Sequence, residues 1–244
     1  MADQRLWISP YNFVQNNPIN RIDPSGALDW EPDKEGNLIA EAGDNAQTLA
    51  DYQNISYSEA LTQLTDQGYK VNDQGILNLK VGDKVELNNV FTESIKNSTS
   101  DFNTDTFLDF RSSGTIKGTG PTSEDNYNCW GSAIAGSQGK KIEVGVGIGE
   151  GSTFDSKLTN DYTPINASNA TFGKTVLRFA NTKGVQHGAV YYGSNKAGEA
   201  FVYTKNGWQI KPEVMKLSIL QLKIPEYGTI QGISTTHSGY YNPK

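Results

Sequence analysis

Three residues spaced along the second half of the chain could together break an amide bond: Cys129, His187 and Asn206. His187 stands 58 residues after the cysteine, and Asn206 another 19 after the histidine. A thiolate nucleophile needs a base within hydrogen-bond reach, and an imidazole base needs a third polar group to hold its ring and tautomer. Cys129 is the only cysteine, so the opposing reading is direct: a lone free cysteine is commonly a buried, inert small hydrophobe. In "EDNYNCWGSAIAG" (124–136) Asn128 can cap a helix that begins at Cys129 and ends near Gly136. A thiol there sits among unpaired backbone N–H groups at the positive end of the helix dipole, which lowers its pKa and offers donors to an oxyanion. Taken alone, this stretch leaves both readings open.

The elements downstream turn the balance toward a nucleophile. "TVLRF" predicts a strand through Val176, Leu177 and Phe179; "HGAVYYG" (187–193) a second; "SNKAGE" a turn; and "AFVYTKNGW" (200–208) a third. His187 then opens one strand of an antiparallel hairpin, and the residues closing the next return to its side. Asn206 is the expected orienting group because a carboxamide can accept the imidazole N–H, with Tyr203 and Thr204 as alternatives. Asn126 or Asn128, with the backbone N–H of Cys129, could hold an oxyanion. Trp130 is placed toward the substrate, and Trp208 reads as a wall over the triad. Glu150, Asp155 and Asp161 read as carboxylates of a loop that could line a groove, solvated carboxylates being the ordinary case. Glu199 reads as a hairpin-turn charge, and His237 as a surface histidine on a tail with no strand to fix it. "VGVGIGEG" (144–151) lacks the ending of a phosphate-binding loop and reads as a strand or bulge. "PEVMKL" (212–217) reads as a short helix with Val214 and Leu217 inward.

Composition narrows the function classes. The chain has 244 residues, 36% hydrophobic, enough to bury a sizeable core. A net charge of −6 argues against broad attraction to nucleic acid or an anionic membrane. No apolar run approaches the ~20 residues that cross a bilayer, and "MADQRLWISP" lacks a signal-peptide layout. One cysteine forms no internal disulfide, and two histidines with one cysteine make a poor zinc site, so no metal or cofactor is expected.

The chain divides into a Pro- and Asn-rich lead-in (1–26), a patterned unit (27–91), a polar linker (92–121) and the Cys-bearing region (122–244). In the second piece Leu49 and Tyr52 fall on one face of a short helix. Ser56-Tyr57-Ser58-Glu59 reads as a capping box before Ala60, Leu61 and Leu64, and Gly68 stops that helix. Leu77 and Leu79, a Gly82-Asp83 turn, then Val85 and Leu87 close the unit with a strand. The order is strand, helix, helix, strand.

Three resemblances accompany these residues. "SPYNFVQNNPINRIDPSG" resembles the end of the core of Rhs-repeat proteins, which precedes a variable C-terminal toxin. The resemblance implies a polymorphic toxin tip, carried by its parent shell and a secretion apparatus and paired with an immunity protein. The Gly43-Asp44 opening with Leu49-Ala50, joined to "LKVGDKVEL", looks like a LysM module, which implies binding to N-acetylglucosamine-containing glycans such as peptidoglycan. "NCWGSA" and "TKNGW" resemble phrases of papain-like cysteine hydrolases. Papain's histidine and asparagine lie roughly 130–150 residues beyond its cysteine, so the compact spacing here looks instead like the NlpC-type cell-wall peptidases, whose third residue is often a histidine that this chain lacks.

The expectation is therefore an α+β chain: a small LysM-like β-α-α-β module followed by a papain-like, NlpC-type domain whose Cys-bearing helix packs on an antiparallel sheet. The expected function is that of a secreted antibacterial effector, delivered into a target cell or its periplasm and cleaving an amide bond in peptidoglycan peptides. A protease, deamidase or acyltransferase acting on a target-cell protein, and a non-catalytic glycan-binding tip, are the alternatives.

Overall fold

A computed structural model describes residues 30–72, 77, 79–98, 105, 128–142, 148, 150–207 and 210–244. The lead-in, most of the expected linker, most of "VGVGIGEG", and the candidates Asn126 and Trp208 lie outside them.

The first unit is built on short apolar pairs. Strands β1 (Glu31–Pro32), β2 (Leu38–Ile39) and β3 (Lys84–Val85) form a three-stranded antiparallel sheet, with Leu38 opposite both Pro32 and Val85. Between β2 and β3 run helices α1 (Ala46–Gln53) and α2 (Tyr57–Asp66), which bury Leu49 and Leu64. Both start at capping boxes. In α2 the Ser56 hydroxyl accepts the Glu59 N–H at 3.2 Å while the Glu59 carboxylate accepts the Ser56 N–H at 2.9 Å. Two otherwise orphaned donors are thus satisfied.

The expected linker opens inside a helix. α3 (Val90–Asn97) is capped by Asn89 and buries Phe91 and Ile95, four residues apart and so on one face. Polar composition masked that pair.

The described residues also form α4 (Cys129–Ser137), α5 (Gly151–Asp161), α6 (Leu217–Lys223), two 3-10 turns (Ala167–Asn169 and Pro225–Tyr227) and the strands β4 (Tyr162–Ile165), β5 (Val176–Asn181), β6 (Gly184–Ser194), β7 (Ala200–Thr204), β8 (Glu213–Lys216), β9 (Thr229–Ile230) and β10 (Tyr240–Pro243). These strands form an open antiparallel sheet in the order β4-β10-β5-β6-β7-β8, with β9 also pairing β5. The β5-β6-β7 meander follows the β-branched and aromatic runs of its sequence, most of whose residues are buried. Three other segments depart from expectation. "EVMK" (213–216) is strand β8 rather than helix, because Val214 and Met215 pair with Tyr203 and Val202 of β7 and the Val214 N–H reaches the Lys34 carbonyl at 2.9 Å. The loop around Asp155 and Asp161 is helix α5, which buries Phe154 and Leu158 one turn apart. The C-terminal tail is strand β10, inserted between β4 and β5, with Pro243 at its end where a missing N–H costs least.

One apolar cluster joins the first unit to the large sheet, from Trp30 and Leu38 through Phe91 and Ala133 to Tyr203 and Tyr241. Tyr192 of β6 knits the seam. Its hydroxyl donates to the Gly36 carbonyl at 2.8 Å, its own carbonyl accepts the Tyr52 hydroxyl at 2.5 Å, and Phe91 meets its ring edge-on at 86°. Gly36, at φ +85°, cannot be replaced easily, since a Cβ there would stand 2.8 Å from the Tyr192 hydroxyl. A second cluster, Leu177, Phe179, Ala189, Val202, Leu220 and Ile224, lies between the sheet and α6.

Candidate active site

Helix α4 sets the thiol. Asn128 is extended, φ −101° and ψ 176°, and its Oδ1 accepts the Gly131 N–H at 2.9 Å. The same carboxamide clamps Ile148, donating from Nδ2 to its carbonyl at 2.5 Å and accepting its N–H at 3.3 Å. Asn128 is therefore held as a cap and brace. Cys129 is the first helical residue and is half-buried, while Gly131 to Ser137 are buried. The helix lies close because β6 presents Gly188 to it: a Cβ there would stand 2.9 Å from the Phe154 ring and 3.4 Å from Ala133.

The electrostatics of the thiol differ from the expected lowering. Burial pushes Cys129 up to about 11, against the opposing pull of the Gly188 and Trp130 N–H groups and the positive charge of Lys205. Desolvation of a thiolate outweighs the helix terminus here. The contact with the Gly188 N–H sets the sulfur against the residue that follows His187.

His187 is fully buried on β6. Its ring stacks on Tyr227 at 3.9 Å and 2°, and tilts against Phe179 at 5.6 Å. Burial lowers its pKa to about 3, so the ring is neutral at physiological pH. Nε2 lies 2.7 Å from the Thr204 hydroxyl, which donates to Asn206 Oδ1 at 2.8 Å. A hydroxyl has one proton to give, so with that proton on Asn206 it accepts from His187, and the imidazole carries its hydrogen on Nε2. Nδ1 is then an unprotonated nitrogen, buried and without a hydrogen-bond partner. No hydrogen bond joins it to the thiol.

The group bonded to the His187 ring is thus Thr204, one of the two alternatives to Asn206, and Asn206 stands one step behind it. Residues 204 and 206 share one face of an extended chain, so a single histidine can address them in series. Tyr203, on the other face, shares hydrogen bonds with Ser94 at 2.9 Å and Ser132 at 3.3 Å. Trp130 stacks on Phe154 at 6.2 Å, with its indole N–H buried and unpartnered. Asp155 forms a bidentate pair with Arg178, at 2.7 and 2.9 Å. Glu150 precedes α5 as its cap residue without a side-chain cap bond. Glu199 binds Lys216 at 2.6 Å at the β6-β7 turn, and His237 is exposed.

Sequence reasoning missed Lys205, Tyr227 and Glu213. Lys205 is fully buried and donates from Nζ to the Ile210 carbonyl at 2.8 Å. Its signal was present in "TKNGW", a lysine flanked by strand and turn, but nothing local says that it points inward. Tyr227 lies in a 3-10 turn that only the tertiary fold brings over His187. Glu213 is buried and faces Thr204 in the β7-β8 register. Elsewhere, a cleft of about 980 Å³ lies at the far end of α4, lined by Phe91, Gln138, Phe172 and Lys174. It does not include the thiol.

The class that fold and site define is a mixed α+β chain with an open antiparallel sheet, a buried hydrogen-bonded series of His187, Thr204 and Asn206, and a half-buried Cys129 at the start of α4. Comparison with known protein families, with curated proteins and with solved structures yields no match for it. Among the described residues no group of three or more His, Cys, Asp or Glu gathers to hold a metal ion, and no helix is long and apolar enough to cross a membrane.

Proposed function

We propose that the chain is a cysteine-dependent amide hydrolase in which Cys129 is the nucleophile, His187 the base and then the acid, and Thr204 with Asn206 the orienting relay. One observation carries this reading: the buried, unpartnered Nδ1 of an imidazole whose other nitrogen is fixed by Thr204 at 2.7 Å, in the residue preceding the one whose N–H meets the thiol. A buried acceptor without a partner is costly and is kept where chemistry uses it.

In the resting site both groups are neutral, so the proton leaves Sγ for Nδ1 as substrate approaches rather than before. The sulfur then adds to the acyl carbon, and backbone N–H groups at the start of α4 stabilise the oxyanion. The imidazolium returns its proton to the departing amine, leaving a thioester. Water, deprotonated by the same Nδ1, hydrolyses the thioester and regenerates the thiol.

The Rhs-like lead-in supports delivery of the chain as a secreted toxin tip, with a partner immunity protein made by the producing cell. The LysM-like phrases and the compact Cys-to-His spacing support peptidoglycan peptides as substrate, in an NlpC-type fold. A second reading, that Cys129 is structural and the chain is a glycan-binding tip, is favoured by the burial that raises the thiol to about 11. Purified peptidoglycan incubated with wild type, Cys129→Ala and His187→Ala separates the readings. Products that require both residues support hydrolysis; glycan pull-down with no products supports the second; a cleaved protein substrate with intact peptidoglycan moves the target to a protein of the target cell.

A further inference from the structure

The cleft at the far end of α4 lies on the seam between the first unit and the large sheet, away from the thiol. The end of α1 and the start of α3 line one side; the end of α4, the turn at 172–174 and β10 line the other. Packing fixes its shape. Phe91 is wedged against two glycines, since a Cβ on Gly136 would stand 2.5 Å from its ring and one on Gly173 3.3 Å. Phe172 rests on Tyr192 at 4.8 Å and on Tyr52 at 5.6 Å. At about 980 Å³ this preformed cleft matches the upper end of ligand sites, roughly 300–1,000 Å³.

Its lining joins apolar walls to unengaged cations. Ile55, Val90, Phe172 and Pro243 are partly buried there. Lys140 and Lys174 are exposed, and their ammonium groups make no ion pair or hydrogen bond among the described residues. Lys244, also at the rim, is engaged, donating to the Thr159 and Asn160 carbonyls at 3.2 and 2.7 Å. Asp161 is the one acidic side chain among the described lining residues. In a chain of net charge −6, two unengaged cations beside one carboxylate reverse the local sign.

Two side-chain amides add direction. Gln53 donates from Nε2 to Gln63 at 3.0 Å, leaving its carbonyl oxygen to accept; Asn242 accepts the Thr175 hydroxyl on Oδ1, leaving Nδ2 to donate. A peptide backbone offers the matching N–H and C=O, an apolar side chain suits the walls, and carboxylates suit the lysines. A saccharide matches the amides but sets hydroxyls against Ile55, Val90 and Pro243.

We propose that this cleft binds an acidic peptide segment of a partner, with an apolar side chain against Phe172 and carboxylates paired with Lys140 and Lys174. The site goes beyond the reading of Cys129 as nucleophile and does not depend on it.

The test uses the full chain and dye-labelled octapeptides, each with two glutamates flanking one leucine, phenylalanine, tyrosine or tryptophan, followed by fluorescence anisotropy. At least one should bind saturably, and more weakly as salt is added. Glutamine in place of its glutamates should weaken binding roughly tenfold, as should Lys140→Glu combined with Lys174→Glu. Both lysines are exposed, so the double variant should keep native circular dichroism. Binding that is unchanged in that variant or with the glutamine peptide overturns the proposal, as does the absence of saturable binding across the set. Lysine-dependent binding of N-acetylglucosamine oligomers in place of the peptides assigns the cleft to a saccharide and overturns it equally. Cys129→Ala should bind the peptides as wild type does, so failure of the hydrolase reading and failure of this site are read separately.

Discussion

His187 Nε2 lies 2.7 Å from the Thr204 hydroxyl, and because that hydroxyl donates onward to Asn206, the contact decides which ring nitrogen is left basic. Nδ1 is the free one. The base of the proposed site is therefore defined by a threonine, with the asparagine acting through it.

Replacing Thr204 tests this ordering. Thr204→Val keeps the shape but removes the acceptor, so the imidazole loses its fixed tautomer, and Cys129-dependent turnover should fall on the order of 10²-fold. Thr204→Ser should retain most activity. Nitrogen NMR of the His187 ring should show a single Nε2–H tautomer in wild type and a mixture in Thr204→Val; an unchanged spectrum would refute the relay.

Tyr227 controls how dry that ring is. Its ring lies 3.9 Å from His187 and parallel to it, and its hydroxyl donates to the Asn206 carbonyl at 3.1 Å. Tyr227→Ala should admit water and raise the His187 pKa from about 3 toward its ordinary value, whereas Tyr227→Phe should shift it little. An NMR pH titration of the imidazole measures both. If the alanine variant titrates like wild type, burial of His187 has another source.

The two buried groups also predict a stability profile with two flanks. In the folded state His187 takes a proton only near pH 3, against an ordinary 6.5, so between these values the unfolded chain binds a proton that the folded one refuses. Stability contributed by keeping His187 neutral is therefore present above about pH 6.5 and lost as pH falls through that window. Cys129 behaves oppositely: raised from 9.0 to about 11, it stays protonated in the folded state while the unfolded thiol ionises, and stability falls as pH rises between those values. Urea midpoints across pH should show both flanks, with His187→Gln flattening the acid one and Cys129→Ser the alkaline one.

Phe91 sits where the first unit meets the large sheet, packed against Tyr192 at 5.7 Å and Tyr203 at 4.8 Å. Phe91→Ala should cost about 3–5 kcal/mol and shift the unfolding of the whole chain, since one continuous cluster spans the seam. Denaturant unfolding followed by fluorescence and by circular dichroism should give coincident curves. Two separated transitions would show that the seam does not couple the units.

Local signals in the sequence were enough for some of this architecture. The Ser56-to-Glu59 capping box is visible because both partners lie within one turn. The β5-β6-β7 meander is visible because short turns join runs rich in Val, Phe and Tyr. Asn128 as cap of the helix that starts at Cys129 is visible for the same reason. In the sequence β8 reads as a helix because a short amphipathic segment fits either form, and α5 and β10 read as loop and tail because polar residues outnumber their few apolar ones; partners far along the chain make the choice: Lys34 and β7 for Val214, Arg178 for Asp155, β4 and β5 for Tyr240 and Tyr241.

The candidate site divides the same way. By itself the sequence determined which residue types could do chemistry and in what order, Cys129, His187, then Asn206 with Tyr203 or Thr204 as alternatives. Only the tertiary structure decided that Thr204 stands between histidine and asparagine, that Tyr227 covers the ring, that Lys205 points inward, and that burial rather than the helix terminus governs the thiol. Desolvation and hydrogen-bond order are properties of what surrounds a group in space, and neighbours such as Tyr227 and Gly188 arrive there from elements that no local pattern connects.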